Sequence, residues 1–248
     1  MSKNAATMRT ANCELRVSLS NSRKVYLRDF IVRQLTNLYG ISDCDLSYID
    51  KHLEQSISRT LFCFSHIKNK YFTADDINVL HSGQYFMFLY YLANTIFSNE
   101  IKNGACDVNI ASNARSVCDK LYCLNKLLAS CEVYYEVELP EYFLVDHPLS
   151  SVIGRASIGN GFAFIQGCTV GGNNGVYPVI GENVFMYSNS KILGKSHIGN
   201  NVLIGANTYI KDMDIPDNVI VFGQYPNIII KTNHYETIRQ KIEEQFYL

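Results

Sequence analysis

From Ile180 onward the chain repeats in steps of six. Ile180, Met186, Ile192, Ile198, Ile204 and Ile210 are all apolar, and none is aromatic. Four residues after each of the first five stand Val184, Ser190, Ser196, Val202 and Thr208, all small or β-branched. The same step gives Val152, Ile158, Phe164 and Val170 earlier in the chain. Between Val170 and Ile180 it lengthens to ten, which puts about four extra residues within "GGNNGVYP". A helix repeats every 3.6 residues and a strand every 2, so a period of six over ten positions fits neither. It fits a parallel β-helix of hexapeptide units, each forming one flat side of a triangular coil, with roughly 18 residues to a turn. The apolar residue then points into the prism and the small residue fills the corner. Stacked coils bury an aliphatic column that no single unit can bury alone. Gly159, Gly171, Gly181, Gly199 and Gly205 follow the apolar position and are expected to ease tight turns. Coils of this pattern wind left-handed, against the usual right-handed crossover.

Residues 24–135 read differently. "SDCDLSYIDKHLEQSISRTLFCF" offers Ser42 or Asp43 as an N-cap, with Leu46, Ile49, Leu53, Ile57 and Leu61 at helical spacing. "TADDINVLHSGQYFMFLYYLANTIF" opens on Thr73 and acidic residues, a favourable helix entry. "ARSVCDKLYCLNKLLAS" carries Val117, Leu121, Leu124 and Leu128 on one face. The fold class is therefore α+β: an N-terminal α-helical domain (24–135), a left-handed parallel β-helix (136–231) and a C-terminal helix (232–248) with Thr232 as its cap. Residues 1–23 resist assignment and read as an arm.

With 248 residues, 47% of them hydrophobic, the chain can bury a real core. A formal net charge of −1 offers no reason to expect a nucleic-acid or anionic-membrane partner. The opening residues lack the apolar stretch of a signal peptide. The most apolar run, "YFMFLYYLANTIF", is 13 residues long and contains Asn94, too short for a membrane span. A buried helix in a cytoplasmic protein is the expectation. The eight cysteines form no CxxC pair and read as small buried hydrophobes in a reducing compartment, with no metal site.

The candidate chemistry lies at the start of the prism, in "VDHPLSSVIG", "QGCTVGG" and "VLIGANT". Taken alone, a histidine beside a proline at a prism edge is more often structural than catalytic. These three stretches, however, resemble the serine acetyltransferase branch of the hexapeptide acyltransferases. Asp146-His147 stands ahead of Gly154, Gln166 ahead of Thr169-Val170-Gly171-Gly172, and Ile204-Gly205-Ala206 ends the match.

The resemblance implies acetyl-CoA as co-substrate and His147 as the general base that takes the proton of an acceptor hydroxyl. A hydroxyl is a poor nucleophile at neutral pH, and an imidazole, ordinarily titrating near about 6.5, is a suitable proton acceptor. Direct transfer in a ternary complex is the simplest course. Backbone N–H groups at Gly171 and Gly172 would meet the oxyanion. An orienting carboxylate for the histidine is sought in "VELP", giving Glu138, with Glu136 nearly as good. By the same resemblance Asp146, Gly172 and Tyr177 line the acceptor pocket, Gly205 and Ala206 contact the pantetheine, and Lys211 and Lys231 meet the phosphates.

The family's Arg-His-Pro beside the inserted loop is here "VYP". Loss of an arginine that would grip a carboxylate in two places suggests an acceptor lacking that carboxylate. A sugar of a polysaccharide pathway thus ranks ahead of L-serine, and a non-catalytic scaffold is the reading from another class. The resemblance further implies a homotrimer or a dimer of trimers, and no metal is needed. His197 reads as an exposed turn residue, His81 as a helix-surface histidine, and Cys168 lacks the basic neighbour that a nucleophile needs.

Overall fold

The computed structural model describes residues 18–104 and 108–247. Residues 1–17, most of the expected arm, lie outside the described residues. Helix α1 (Asn21–Tyr39) takes up the last three residues of the expected arm (1–23), capped by the Ser20 side chain. Helix α2 (Asp43–Ser65) opens on a reciprocal capping box between Ser42 and Asp45. Helix α3 (Ser82–Phe97) runs on into a π turn, Ser98–Lys102. Helix α4 spans Val108–Ala129.

The expected helix entry at Thr73 is a turn segment instead. Asp76 is taken by Arg23 in an ion pair of 2.6 Å, and Asn78 N–H donates to the Gln84 side chain. The helix begins only where His81 caps it, accepting from Gln84 N–H. His81 is thus a capping residue rather than one on the helix surface. The run from Tyr85 to Ile96 is buried on every side, as its unbroken apolarity requires. On α4, Val117, Leu121 and Leu124 are buried, but Leu128 is exposed.

The remainder is a left-handed parallel β-helix with three faces. The first face stacks Phe143–Val145, Phe162–Phe164, Val184–Met186, Val202–Ile204 and Val219–Gln224. The second stacks Glu132–Val133, Val152–Ile153, Thr169–Gly171, Lys191–Leu193 and Tyr209–Lys211, and the third Ser157–Ile158, Val179–Ile180, His197–Ile198 and Asp214–Ile215. Phe164, Val170, Ile180, Met186, Ile192, Ile198, Ile204 and Ile210 fill the column, and Val184, Ser190, Ser196, Val202 and Thr208 are buried beside them.

Two expectations fail locally. Val152 is exposed and Ile153 takes its place inside, paired with Val133 above and Val170 below. The glycines after the apolar position do not adopt left-handed backbone. A Cβ on Gly159, Gly181 or Gly199 would instead meet the backbone of the next coil at 2.8 Å or less. The left-handed corners fall mainly to asparagines, among them Asn183, Asn201 and Asn218, which tolerate positive φ. Those three form a ladder: the Asn183 amide donates to Asn201 and the Asn201 amide to Asn218, each at 3.0 Å. The insertion closes on itself, Asn173 and Val176 exchanging both backbone hydrogen bonds around Asn174 and Gly175 at positive φ, the geometry of a type I′ turn.

The prism ends in an antiparallel hairpin of Val219–Gln224 with Asn227–Lys231. Helix α5 (Tyr235–Gln245) follows. His234, not Thr232, precedes it, and no side chain caps it. Its buried residues Ile238 and Ile242, with Phe246 beyond, lie against the first face, where Phe246 meets Phe185 and Tyr142 edge-on. Among the described residues no helix is long and apolar enough to cross a membrane.

Candidate active site

His147 stands where the chain leaves the first face for the second. Its φ is +49°, and Pro148 follows. A non-glycine residue rarely takes this conformation, and one ahead of proline is normally extended. The backbone is held there by Ser150 N–H donating to the Ser130 carbonyl at 2.7 Å and Ser151 N–H to the Pro148 carbonyl at 3.2 Å. Such a residue costs about 1–3 kcal/mol, which the surrounding corner must over-determine. The imidazole is 76% exposed, with Nε2 3.7 Å from an Asp146 carboxylate oxygen. The histidine therefore faces an open corner with one acidic neighbour.

Along the same corner the backbone climbs coil by coil. Asp146 N–H donates to Phe164, Ile165 to Met186, Tyr187 to Ile204 and Gly205 to Val221. Gly205 and Ala206 thus share the corner of His147, three coils on, a separation of about 14 Å at ~4.8 Å per rung. A Cβ on Gly205 would strike the Phe222 ring at 2.4 Å, so a larger residue there must displace that ring. Lys231 Nζ sits 5.4 Å from the same ring's centroid, and Lys211 Nζ 5.9 Å from that of Tyr225. Each contact sets one lysine beside an aromatic ring in the last coil.

Gly171, Gly172 and Tyr177 occupy the next corner, between the second and third faces. A Cβ on Gly172 would meet the Tyr177 ring at 2.7 Å, whereas one on Gly171 would find only Leu193 at 3.5 Å, an ordinary contact. Gly172 therefore seats Tyr177, while nothing in the chain demands glycine at 171. Within one chain this corner is not the corner of His147.

Glu138 does not approach His147. It is 66% exposed and paired with Lys102. Glu136 bonds Arg115 at 2.8 Å and Arg155 at 3.2 Å. Besides Asp146, the carboxylate of the coil stacked on this corner is Glu132, which the motif reading missed. Its N–H donates to the Ser151 carbonyl, and Ser130 accepts from Ser150, so residues 130–132 stack directly on the corner that His147 opens. The Lys126 ammonium, 2.5 Å away, holds the Glu132 carboxyl below its ordinary range, against the opposing effect of partial burial. The signal was the length of the first coil, since Val133 pairs with Ile153, a full twenty residues on.

Cys168 is buried under the site, its thiol raised by burial and donating toward the Met186 and Tyr187 carbonyls at 3.5 and 3.3 Å. His197 is exposed on the third face, with Nδ1 2.9 Å from Asp214. Among the described residues no three His, Cys, Asp or Glu side chains gather around a point that could hold a metal.

Residues 177–212 match the family model described as bacterial transferase hexapeptide (six repeats). The chain has the fold of the serine acetyltransferases. A serine acetyltransferase structure from Brucella abortus strain S19 superposes with a TM-score of 0.59 at 18% identity, covering 85% of this chain and 82% of that one. A serine acetyltransferase complex with CoA gives 0.55 at 19% identity, covering 75% of each chain. In sequence, the serine acetyltransferase of Synechococcus elongatus is 31% identical over 114 residues, 44% of this chain and 46% of that protein. That of Staphylococcus epidermidis is 33% identical over 113 residues, 44% of this chain and 52% of that protein. The chain thus spans about half the length of the curated relatives it matches.

Proposed function

We propose that this chain is an acetyl-CoA-dependent O-acetyltransferase whose acceptor is L-serine. The observation that carries the reading is His147 held at positive φ on an open corner beside Asp146. The relatives named above are serine acetyltransferases, and none points to a sugar. The acceptor favoured on the missing arginine alone therefore yields to serine.

In this reading the His147 imidazole takes the serine hydroxyl proton as the oxygen attacks the thioester carbonyl. The tetrahedral oxyanion is met by backbone N–H groups at Gly171 and Gly172. Collapse breaks the C–S bond, His147 returns its proton to the departing CoA thiolate, and O-acetylserine and CoA leave. Because Gly171 and His147 lie on different corners, the oxyanion donors come from a second copy of the chain packed against the first. That arrangement supports an oligomer, a trimer in the simplest closed form. The acetyl-CoA arm follows the His147 corner toward Gly205 and Ala206, with Lys211 and Lys231 toward the phosphates. Glu132 takes the orienting role first sought in Glu138.

The test is release of free thiol from acetyl-CoA with L-serine, wild type beside His147→Ala. Loss of the base should lower kcat by about 10²–10⁴-fold. Equal rates in the two proteins would remove His147 from the chemistry. No release with any hydroxyl acceptor would favour a scaffold.

A further inference from the structure

A groove of about 160 Å³ opens between α5 and the first face. Its floor includes Phe185 and Ile165, and its rim carries Asp146, Tyr187, Lys241 and Gln245. Asp146 is the residue whose carboxylate lies beside His147 Nε2, so the groove and the histidine share that residue. Two charges of opposite sign thus line one small cleft, an anion near the base and a cation on the helix.

We infer that this groove holds the amino-acid end of the acceptor, with Lys241 as the counter-charge for its α-carboxylate and Asp146 for its ammonium. The inference rests on the reading of the chain as a serine acetyltransferase. Three observations support it. The first is makeup: apart from Asp146, Tyr187, Lys241 and Gln245 the lining is apolar, so a zwitterion would meet two counter-charges and little else that is polar. The second is that Lys241 has no tight anionic partner. Its Nζ lies 3.6 Å from the half-exposed Glu244 carboxylate and 5.9 Å from the Tyr187 ring centroid, loose contacts that a ligand carboxylate outcompetes at little cost. The third is rigidity. Beyond Lys241 the helix is fastened to the helical domain by Lys68 N–H on the Gln245 carbonyl at 2.8 Å and Tyr247 N–H on the His66 carbonyl at 2.9 Å, with Phe246 buried between. Lys241 is therefore presented on a fixed wall, as carboxylate recognition requires. The cation that the prism loop lacks is supplied from the other end of the chain, where no motif spacing would reveal it.

Steady-state kinetics on the full chain test this. Lys241→Met should raise the KM for L-serine by about 10- to 100-fold, the worth of a hydrogen bond to a charged group. The KM for acetyl-CoA should hold, and kcat should fall far less. Lys241→Arg should recover most of the serine affinity. L-Serinamide, which lacks the carboxylate, should be as poor for the wild type as L-serine is for Lys241→Met, and no poorer for the variant. An unchanged serine KM in Lys241→Met, with normal turnover, overturns the inference and leaves the serine reading standing. A raised acetyl-CoA KM instead gives the groove to the cofactor and also overturns it. A wild type that acetylates other hydroxyls but never L-serine sinks the acceptor reading and this inference together.

Discussion

The coils before Ile180 and those after it share one cross-section but not one regularity. In the later coils Ile180 pairs with Ile198, Met186 with Ile204 and Ile192 with Ile210, each eighteen residues on, and Ile198 pairs with Ile215 and Ile204 with Val221 at seventeen. In the earlier ones Val133 pairs with Ile153 at twenty, Ile153 with Val170 at seventeen and Val170 with Ile192 at twenty-two. The regular coils are stitched by the asparagine ladder, and their column is aliphatic. The irregular coils hold the strained His147, the Asp146 beside it and the four-residue loop next to Tyr177. The difference teaches a division of labour: uniform repeats supply the stacking energy, and departures from the repeat lift particular groups off the scaffold.

The largest effect should come from the regular column. Ile192 is fully buried, and Ile192→Ala should cost about 2–5 kcal/mol in unfolding free energy while leaving the KM values of the folded fraction unchanged. Val152, although on the six-step, is exposed, and Val152→Ala should stay within about 0.5 kcal/mol. Denaturant unfolding of both separates the period from the actual column. Equal destabilisation would mean that the repeat, not the observed register, decides what is inside.

Glu132→Gln tests the irregular side. Removing its charge should cut kcat by about 10²-fold, with stability moved only by the lost Lys126 contact, which is worth under about 1 kcal/mol at this exposure. Glu138→Gln should leave kcat near the wild-type value, since Glu138 faces Lys102. The reverse ranking would return the orienting role to Glu138 and detach the first coil from the chemistry.

The prism was legible because its period is a whole number that neither helix nor strand shares, and from Phe164 to Ile210 the predicted positions fill the column despite a four-residue insertion. What escaped was set by contacts distant in sequence. Thr73 reads as a helix entry until Arg23 and Gln84 claim the segment's polar groups. The slip from Val152 to Ile153 follows from pairing with Val133, a strand too short to show a period. Glu132 is found only once the first coil is known to run twenty residues. His147, by contrast, is singled out by local features alone, the Asp-His pair and its spacing to Gly154, and its role remains the proposal tested above.

The asparagine ladder should give a smaller effect. Asn201 sits at φ +55° and takes part in both ladder bonds. Asn201→Ala loses two hydrogen bonds and puts a Cβ residue without a compensating side chain in the left-handed region, for about 2 kcal/mol. Asn201→Gly loses the bonds but relaxes the backbone, and should recover about half of that. At Asn174 in the loop, also left-handed but with no ladder bond, glycine should be neutral or mildly stabilising. Thermal melts of the three variants compare a stitched corner with an unstitched one.

The smallest effect is the one best able to break the comparison, because irregular need not mean loose. Cys168 lies in the irregular coil beneath the site and Cys131 at its upper end, both buried. Burial pushes the Cys131 thiol up to about 12 and raises Cys168 as well. A raised thiol pKa means less thiolate at any pH below it, and the thiolate is the species that attacks a labelling reagent. At pH 8 the exposed Cys44 and Cys123 should therefore modify quickly, while Cys131 and Cys168 should react only on the time scale of local opening. Site-resolved mass spectrometry after a short pulse of an aromatic disulfide reagent reads this directly. If Cys168 stays as protected as Cys63 and Cys118 in the helical domain, the early coils are as tightly closed as the rest, and His147 is strained against a firm base. If Cys168 labels well ahead of them, the irregular coils open on their own, and the strain at His147 is relieved for part of the time rather than held for use.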